Sequence, residues 1–224
     1  MEEAVAVKLR YYGHSSFLLE AGDGTRVILD PYKSGSFGGS IKLSAITDTA
    51  DAVVASHKHD DHGAVDTIPG HPQIFIHPTS ATVGGWKITG IDVAHDAEGG
   101  RSRGKNTIIV LDDGDVRLVH LGDLGHTLTP ETVAAIGPVD VLMIPVGGYY
   151  TIDHDQAAEV VEALAARIVI PMHYKTPKVD FPISGPEPFL ATQATVERRA
   201  TSTIEITHAA LPAARVTYLL QPDR

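Results

Sequence analysis

The chain has 224 residues with 43% hydrophobic and 21% charged side chains, a formal net charge of −10 and no cysteine. That length can bury a full core, and the composition is that of an ordered globular protein. The acidic balance, with only RSRGK (101–105) as a basic cluster, argues against a broad nucleic-acid surface, and the lack of cysteine excludes disulfides, thiolate metal sites and a cysteine nucleophile.

Strand-like runs follow one another from 4–12 (AVAVKLRYY) through 16–21, 26–30, 51–56 and 73–77. They resume at 104–113, 115–123, 139–146, 167–174, 202–208 and 214–220. Gly22-Asp23-Gly24 and Asp112-Asp113-Gly114 are turn signals, and the second predicts a hairpin. Helices are expected at 63–68, at 129–137 with Pro130 in the first turn, at 152–167 and at 187–199. In the third of these, Ala157, Val160, Val161 and Leu164 fall at helical spacing and Asp153 is the expected N-cap. The stretch 175–188, with four prolines, has neither period and is expected to be a long loop or lid. Hairpins mixed with strand-helix-strand units predict an α/β fold.

No apolar run approaches the roughly 18–20 residues of a membrane span, and MEEAVAVKLR lacks the basic and apolar regions of a signal peptide. A cytoplasmic protein making no membrane contact is expected.

A weak internal repeat is visible. GHSSFLLEAGDGTRVILDP from Gly13 and GKNTIIVLDDGDVRLVHLGD from Gly104 both run from glycine through a strand and an acidic turn to a strand ending in Asp. DAVVAS and DVLMIP follow at similar offsets. The expectation is a single domain, 1–224, of two similar halves, 1–103 and 104–224, whose sheets pack with a site between their strand ends.

The stretch SHKHDDHG (56–63) places three histidines and two aspartates after an apolar strand. In extended backbone His57 and His59 point to one side, with Cα atoms about 6.6 Å apart, a spacing from which two imidazoles can converge on one ion. A turn at Asp61 would swing Asp61 and His62 together toward a second ion. Asp60 is out of phase with these and is read as solvated or as a carboxylate standing behind the ligands. Further ligands are sought where strands end, at His95, Asp123 and His173.

The pattern His57-x-His59-x-Asp61-His62, then His95, Asp123 and His173 in that order, resembles the metallo-β-lactamase superfamily. The flanking YYGHSSFLLE, VILDPY, HDAEGGRSRGKN, HLGDLGH and IPMHYKT resemble the small metal-dependent hydrolases of its ascorbate-6-phosphate lactonase-like branch. That resemblance implies a four-layer αββα sandwich. It implies that His57, His59 and His95 hold one metal, that Asp61, His62 and His173 hold another, and that Asp123 bridges them. Two divalent ions are implied, Zn2+ foremost with Mn2+ or Fe2+ as alternatives, and a bridging hydroxide that attacks a small ester, lactone or phosphodiester. Asp61 would orient that nucleophile and pass a proton to the leaving group. His14, in GHSS, would line the site as a catalytic residue, and Asp30 would orient a ligand histidine from behind.

Tyr149 and Tyr150 could hydrogen-bond substrate, and His126 falls three residues past Asp123. Arg101, Arg103 and Lys105, just beyond His95, could meet an anionic substrate but are read first as a solvated loop, and His71, His77, His120, His154 and His208 as structural or surface residues. A small-molecule substrate is expected, nucleic acid is disfavoured, and a homo-oligomer is left open. Two competing readings are a nuclease related to ribonuclease Z and a metal-binding module without catalysis.

Overall fold

The alternation of apolar residues along the strands is resolved by two sheets that bury both faces. The protein is described by a computed structural model over residues 6–224, so Ala4 and Val5 of the expected first strand lie outside the described residues. The first sheet contains, in spatial order, β13 (Thr203–Ile206), β1 (Val7–Gly13), β2 (Ser16–Glu20), β3 (Arg26–Leu29), β4 (Ala52–Ala55) and β5 (Gln73–Ile76). The second contains β12 (Val196–Arg198), β14 (Val216–Leu219), β11 (Ile168–Met172), β10 (Val141–Pro145), β9 (Arg117–His120), β8 (Lys105–Asp112), β7 (Trp86–Ala94) and β6 (Ser80–Val83).

The pairing scheme recurs in the two sheets. β2 and β3 form an antiparallel hairpin, after which β3, β4 and β5 run parallel. β8 and β9 form the hairpin expected at Asp112–Gly114, after which β9, β10 and β11 run parallel. β6 and β7 belong to the second sheet although they precede residue 104, and β13 crosses back to the first.

Strand parity sorts the core into layers. Leu29 and Val54 of the first sheet meet Leu118, Met143, Ile170 and Trp86 of the second, forming the inner core. On the outer face of the second sheet, Val119, Leu142 and Val169 pack under α3 (His154–Leu164), which contributes Ala157, Val160, Val161 and Leu164. α2 (Pro130–Ile136) and α4 (Glu187–Ala191) join that layer through Ile136, Phe189 and Leu190, while α1 (Ser36–Gly39) is a single distorted turn in the loop after β3. Over the first sheet the covering layer is mostly loop: Ile28 and Val53 lie under Ile41, Leu43, Val179 and Phe181 and under a 3-10 turn, Val65–Thr67. The fold is thus the expected α/β sandwich of two sheets, with few helices. Among the described residues no helix is long and apolar enough to cross a membrane.

Local signals account for most boundaries. The Asp153 carboxylate accepts the amides of Asp155 and Gln156 at 3.1 and 3.0 Å while the Gln156 side chain accepts Asp153 N–H, a reciprocal cap on α3. Three expectations change. The helix at 63–68 contracts to the 3-10 turn. The helix expected over 187–199 ends at Ala191, where Thr192 Oγ1 donates back to the Phe189 carbonyl at 2.8 Å, and Val196–Arg198 instead extends the sheet beside β14. β6 is not among the expected strands, and β7, expected only as a strand ending at His95, runs back to Trp86. The mid-strand Gly90, whose added Cβ would sit 1.7 Å from the Pro78 carbonyl oxygen, breaks the apolar alternation of β7 for a steric reason.

Urea denaturation tests this layering. Truncating fully buried Ile170 to Ala is expected to cost about 2–5 kcal/mol through the cavity left between the sheets. Asp153→Ala, which removes only a cap, is expected to cost about 1 kcal/mol.

Candidate metal centre

The parallel strands bring their C-terminal ends to one edge of the sandwich, and the chemistry-bearing side chains follow directly. Asp30 stands after β3, the stretch Ser56–His62 after β4, His95 after β7, Asp123 after β9 and His173 after β11. His14 sits in the β1–β2 turn. All of these side chains are buried except Lys58, His59 and Asp60, which are exposed.

The turn within SHKHDDHG is closed by the His62 and Gly63 amides, both donating to the His59 carbonyl at 2.9 and 2.6 Å. Gly63 is required there, because a Cβ would lie 2.8 Å from the His57 carbonyl oxygen. Behind the turn, the fully buried Asp30 carboxylate accepts Ser56 N–H at 2.7 Å, Ser56 Oγ–H at 2.6 Å and His62 Nδ1–H at 2.7 Å. Ser56 Oγ in turn accepts His57 Nδ1–H at 3.0 Å. Both rings therefore carry their proton on Nδ1 and turn Nε2 toward the cluster.

Two donor groups result: His57, His59 and His95 offer atoms within 4.8 Å of one another, and so do His14, Asp61, His62 and His173; Asp30, His57 and His62 also meet that spacing, but there the Asp30 oxygens are already engaged by Ser56 and His62. Donors about 2 Å from a shared ion are at most about 4 Å apart, so each group needs little closing to fit one. Asp123 lies across the two groups. Its Oδ2 is 3.1 Å from His95 Nε2 and 3.8 Å from His57 Nε2, while its Oδ1 is 3.1 Å from His62 Nε2 and 3.4 Å from His173 Nε2.

The atoms that converge are those the protein leaves without partners. Nε2 of His57, His62 and His173 and Oδ1 of Asp123 are buried and make no hydrogen bond that satisfies them. Buried polar atoms are seldom left so, and four at one point fit a bound cation. Burial pushes His57 and His173 down to about 3, so both are neutral, with a lone pair free near neutral pH. Burial also opposes charge on His62, but Asp123, Asp61 and Asp30 outweigh it and hold that ring above its ordinary value. Asp123 is depressed well below the carboxylate range despite its burial, by His173 and His62 foremost.

The remaining expected residues are placed as follows. His14 Nε2–H donates to Asp61 Oδ2 at 3.1 Å, and its ring lies 4.3 Å from that of His173. His126 accepts Ala94 N–H at 3.4 Å, one residue before His95. His120 is locked between Gly122 N–H and the Ser15 carbonyl, at 3.1 and 2.8 Å, as a structural residue. Tyr149 is exposed at the rim, whereas Tyr150 lines the cavity over the site.

That cavity, about 290 Å³, is bounded by His59, Asp61, His95, Asp123 and His173 on its floor and by Phe37, Tyr150, Phe181, Ser102 and Arg103 on its walls. Of the wall residues, Tyr150 and Arg103 are named by the sequence reading for substrate contact, whereas Phe37, Ser102 and Phe181 are absent from it. Phe37 and Phe181 lie in aperiodic loops and left no signal. Asp96 did leave one, an acidic residue opening a glycine-rich loop. Its buried carboxylate accepts the amides of Glu98 and Gly100 at 2.8 Å each and of Ser102 and Arg103 at 2.9 and 2.8 Å. Burial would raise this carboxyl, but the four amides outweigh it and draw it down to about 2.

A family model described as a β-lactamase superfamily domain matches residues 8–173, ending on the last histidine of the cluster. A metal-dependent hydrolase of Thermococcus onnurineus is 29% identical over 195 residues, covering 76% of this chain and 85% of the relative. Another, of Hyperthermus butylicus, is 26% identical over 219 residues, covering 80% and 87%. A crystal structure from Thermotoga maritima, assigned to the zinc-dependent hydrolases of the metallo-β-lactamase superfamily, is 34% identical with a TM-score of 0.77, covering 96% of this chain and 100% of that one. A metallo hydrolase from Ignicoccus hospitalis shares the fold at 22% identity, with a TM-score of 0.63 and coverage of 98% and 97%.

The Asp96 carboxyl yields a pH test. Because its pKa falls from 3.8 to about 2 on folding, its contribution to stability is complete above the unfolded value and disappears as pH drops through the folded one. Asp96→Asn is expected to melt below wild type at neutral pH, and the gap between the two is expected to narrow between about pH 4 and pH 2. Melting temperatures across that range check it.

Proposed function

The chain belongs to the β-lactamase superfamily and is a metal-dependent hydrolase, and from that premise we propose that it works with two ions. His57, His59 and His95 hold one, Asp61, His62 and His173 hold the other, and Asp123 shares itself between them. The observation that carries this reading is the position of Asp123, whose two oxygens face one histidine set each. A carboxylate so divided is suited to join two cations that would otherwise repel at close range. When bound, the ions supply Lewis acidity toward the substrate oxygen and a water acidic enough to ionise near neutral pH. Zinc is the ion we assign, because imidazole and carboxylate donors suit it, with manganese or iron as alternatives.

The side chains around the donors have separate tasks. Asp30 fixes the ring orientation of His62 directly and of His57 through Ser56. Asp61, with Oδ2 held by His14 at 3.1 Å, is placed to take a proton from the attacking water and return it to the leaving group. The His14 ring also packs edge-on to Phe181 at 5.6 Å, which closes the protein side of the site against bulk water. A cavity of about 290 Å³ takes a small ester, lactone or phosphodiester.

Elemental analysis with a panel of aryl esters, lactones and phosphodiesters tests this. About two equivalents of metal per chain are expected, with turnover of at least one class, lost on chelation and restored by zinc or manganese. One equivalent would end the dinuclear reading, and full metal without turnover would leave a binding module in its place. Asp30→Asn, which keeps the size of the side chain but disrupts its acceptor role, is expected to weaken metal affinity about 10–100-fold in a chelator competition.

A further inference from the structure

The cavity has a second chemical feature beyond its donor floor. Arg103 is the one arginine or lysine on its wall, and among the described residues its guanidinium faces no carboxylate. Most other arginines of this acidic chain, Arg101 and Arg167 excepted, are neutralised: Arg117 lies 2.8 Å from Asp112, Arg198 lies 2.6 Å from Glu187, and Arg10 lies 2.6 Å from Asp223. An arginine left unpaired at the mouth of a catalytic cavity has its fork of donors available to a ligand.

The loop beneath it is built rather than loose. Asp96 Oδ2 accepts the amides of both Ser102 and Arg103, and Oδ1 those of Glu98 and Gly100. Gly104 N–H donates to the Gly100 carbonyl at 3.0 Å, and His95 N–H donates to the Gly104 carbonyl at 3.0 Å, so the loop is tied to a residue of the donor floor. Gly125 lets the loop after β9 pass against it, since a Cβ there would stand 2.3 Å from Asp96 N. The backbone that presents Arg103 is ordered before any ligand arrives, which removes much of the cost of fixing it on binding.

From the guanidinium an aromatic wall crosses the cavity. Arg103 Cζ lies 5.6 Å from the Tyr150 ring centroid, Tyr150 lies 5.9 Å from Phe181, and Phe181 lies 5.3 Å from Phe37. The Phe37 side chain is half exposed on a left-handed backbone of φ 52°, an apolar surface turned to the opening at a conformational cost.

We propose that Arg103 is the specificity-determining residue for an anionic group on the substrate, a carboxylate or a phosphate remote from the bond that is cut, with an apolar body lying along Tyr150, Phe181 and Phe37. The inference rests on the hydrolase reading for its substrate but not for its binding chemistry, and the test separates the two. Calorimetry on the metal-loaded protein compares benzenesulfonate, a weak metal ligand, with its neutral counterpart methyl phenyl sulfone. Arg103→Ala is expected to weaken benzenesulfonate roughly tenfold or more and the sulfone little, and Arg103→Lys to recover part of the loss. Phenylacetate and phenyl phosphate form two further arms. A larger loss for one of them on Arg103→Ala identifies a carboxylate or a phosphate as the natural group. In turnover, the ratio of kcat/KM for mono-4-nitrophenyl glutarate to that for 4-nitrophenyl butyrate is expected to fall roughly tenfold in Arg103→Ala, mainly through KM. Benzenesulfonate binding within twofold of wild type, or an equal loss for the neutral sulfone, would overturn the proposal. If neither ester is turned over by wild type, that counts against the ester-hydrolase reading, and the titrations still decide the role of Arg103.

Discussion

The Asp30 carboxylate is the contact on which the rest of the site depends. It is fully buried, a position that is strongly unfavourable for a charge without partners. Ser56 N–H, Ser56 Oγ–H and His62 Nδ1–H all converge on it, and His120 and His62 hold its carboxyl below the ordinary range although burial opposes that. Those bonds join the end of β3 to the end of β4, whose parallel register is itself set by packing in the inner core. The consequence reaches outward through Ser56 to His57. Two imidazoles become fixed in tautomer and direction by one acid that belongs as much to the sheet as to the site.

The site also concentrates backbone strain. His14, Asp30 and His173 all have positive φ, at 55°, 41° and 52°, where side chains other than glycine are unfavourable. Each such residue costs about 1–3 kcal/mol and persists only where its surroundings leave no alternative. The surroundings here are strand ends clamped by two sheets: His173 N–H donates to the His14 carbonyl at 2.8 Å, joining two strained residues across the sandwich. The inter-sheet core therefore offsets a local cost that a loop-borne site could not sustain.

The legible part of the chain follows from this arrangement. Strand parity divides SHKHDDHG into His57 with His59 and Asp61 with His62; two of the three groups of convergent donors in the structure keep those pairs together, while the third joins His57 and His62 to Asp30. Residues on or just beyond strands are periodic with their neighbours, so local sequence carries their direction. Asp123 shows the limit. That it ends a strand is readable, but that its two oxygens face opposite histidine sets depends on β7 and β11, far from it in sequence. Of β7 only the end at His95 is legible, because Gly90 answers a steric demand from Pro78 rather than a strand pattern. The helix expected at 187–199 failed for a related reason, since Val196–Arg198 gains more from sheet pairing beside β14 than from helical spacing.

The cavity walls obey different rules from its floor. The clustered histidines and aspartates stand on strand ends, whose positions are set by the core, whereas Arg103 and Phe181 stand on loops and Phe37 in the distorted turn Ser36–Gly39. The loop after β3 and the loop after β11 are not independent. Lys42 N–H donates to the Lys178 carbonyl at 2.7 Å, Asp180 N–H donates to the Ser40 carbonyl at 2.9 Å, and Ile41 bridges to Val179. These bonds make one roof from two distant segments, with Phe37 and Phe181 in edge contact beneath it. Any change of length in one loop must then shift the partner's aromatic ring as well, while the donor floor, held by Asp30 and the strand ends, need not move. A scaffold divided in this way can change what it accepts without changing the chemistry it performs.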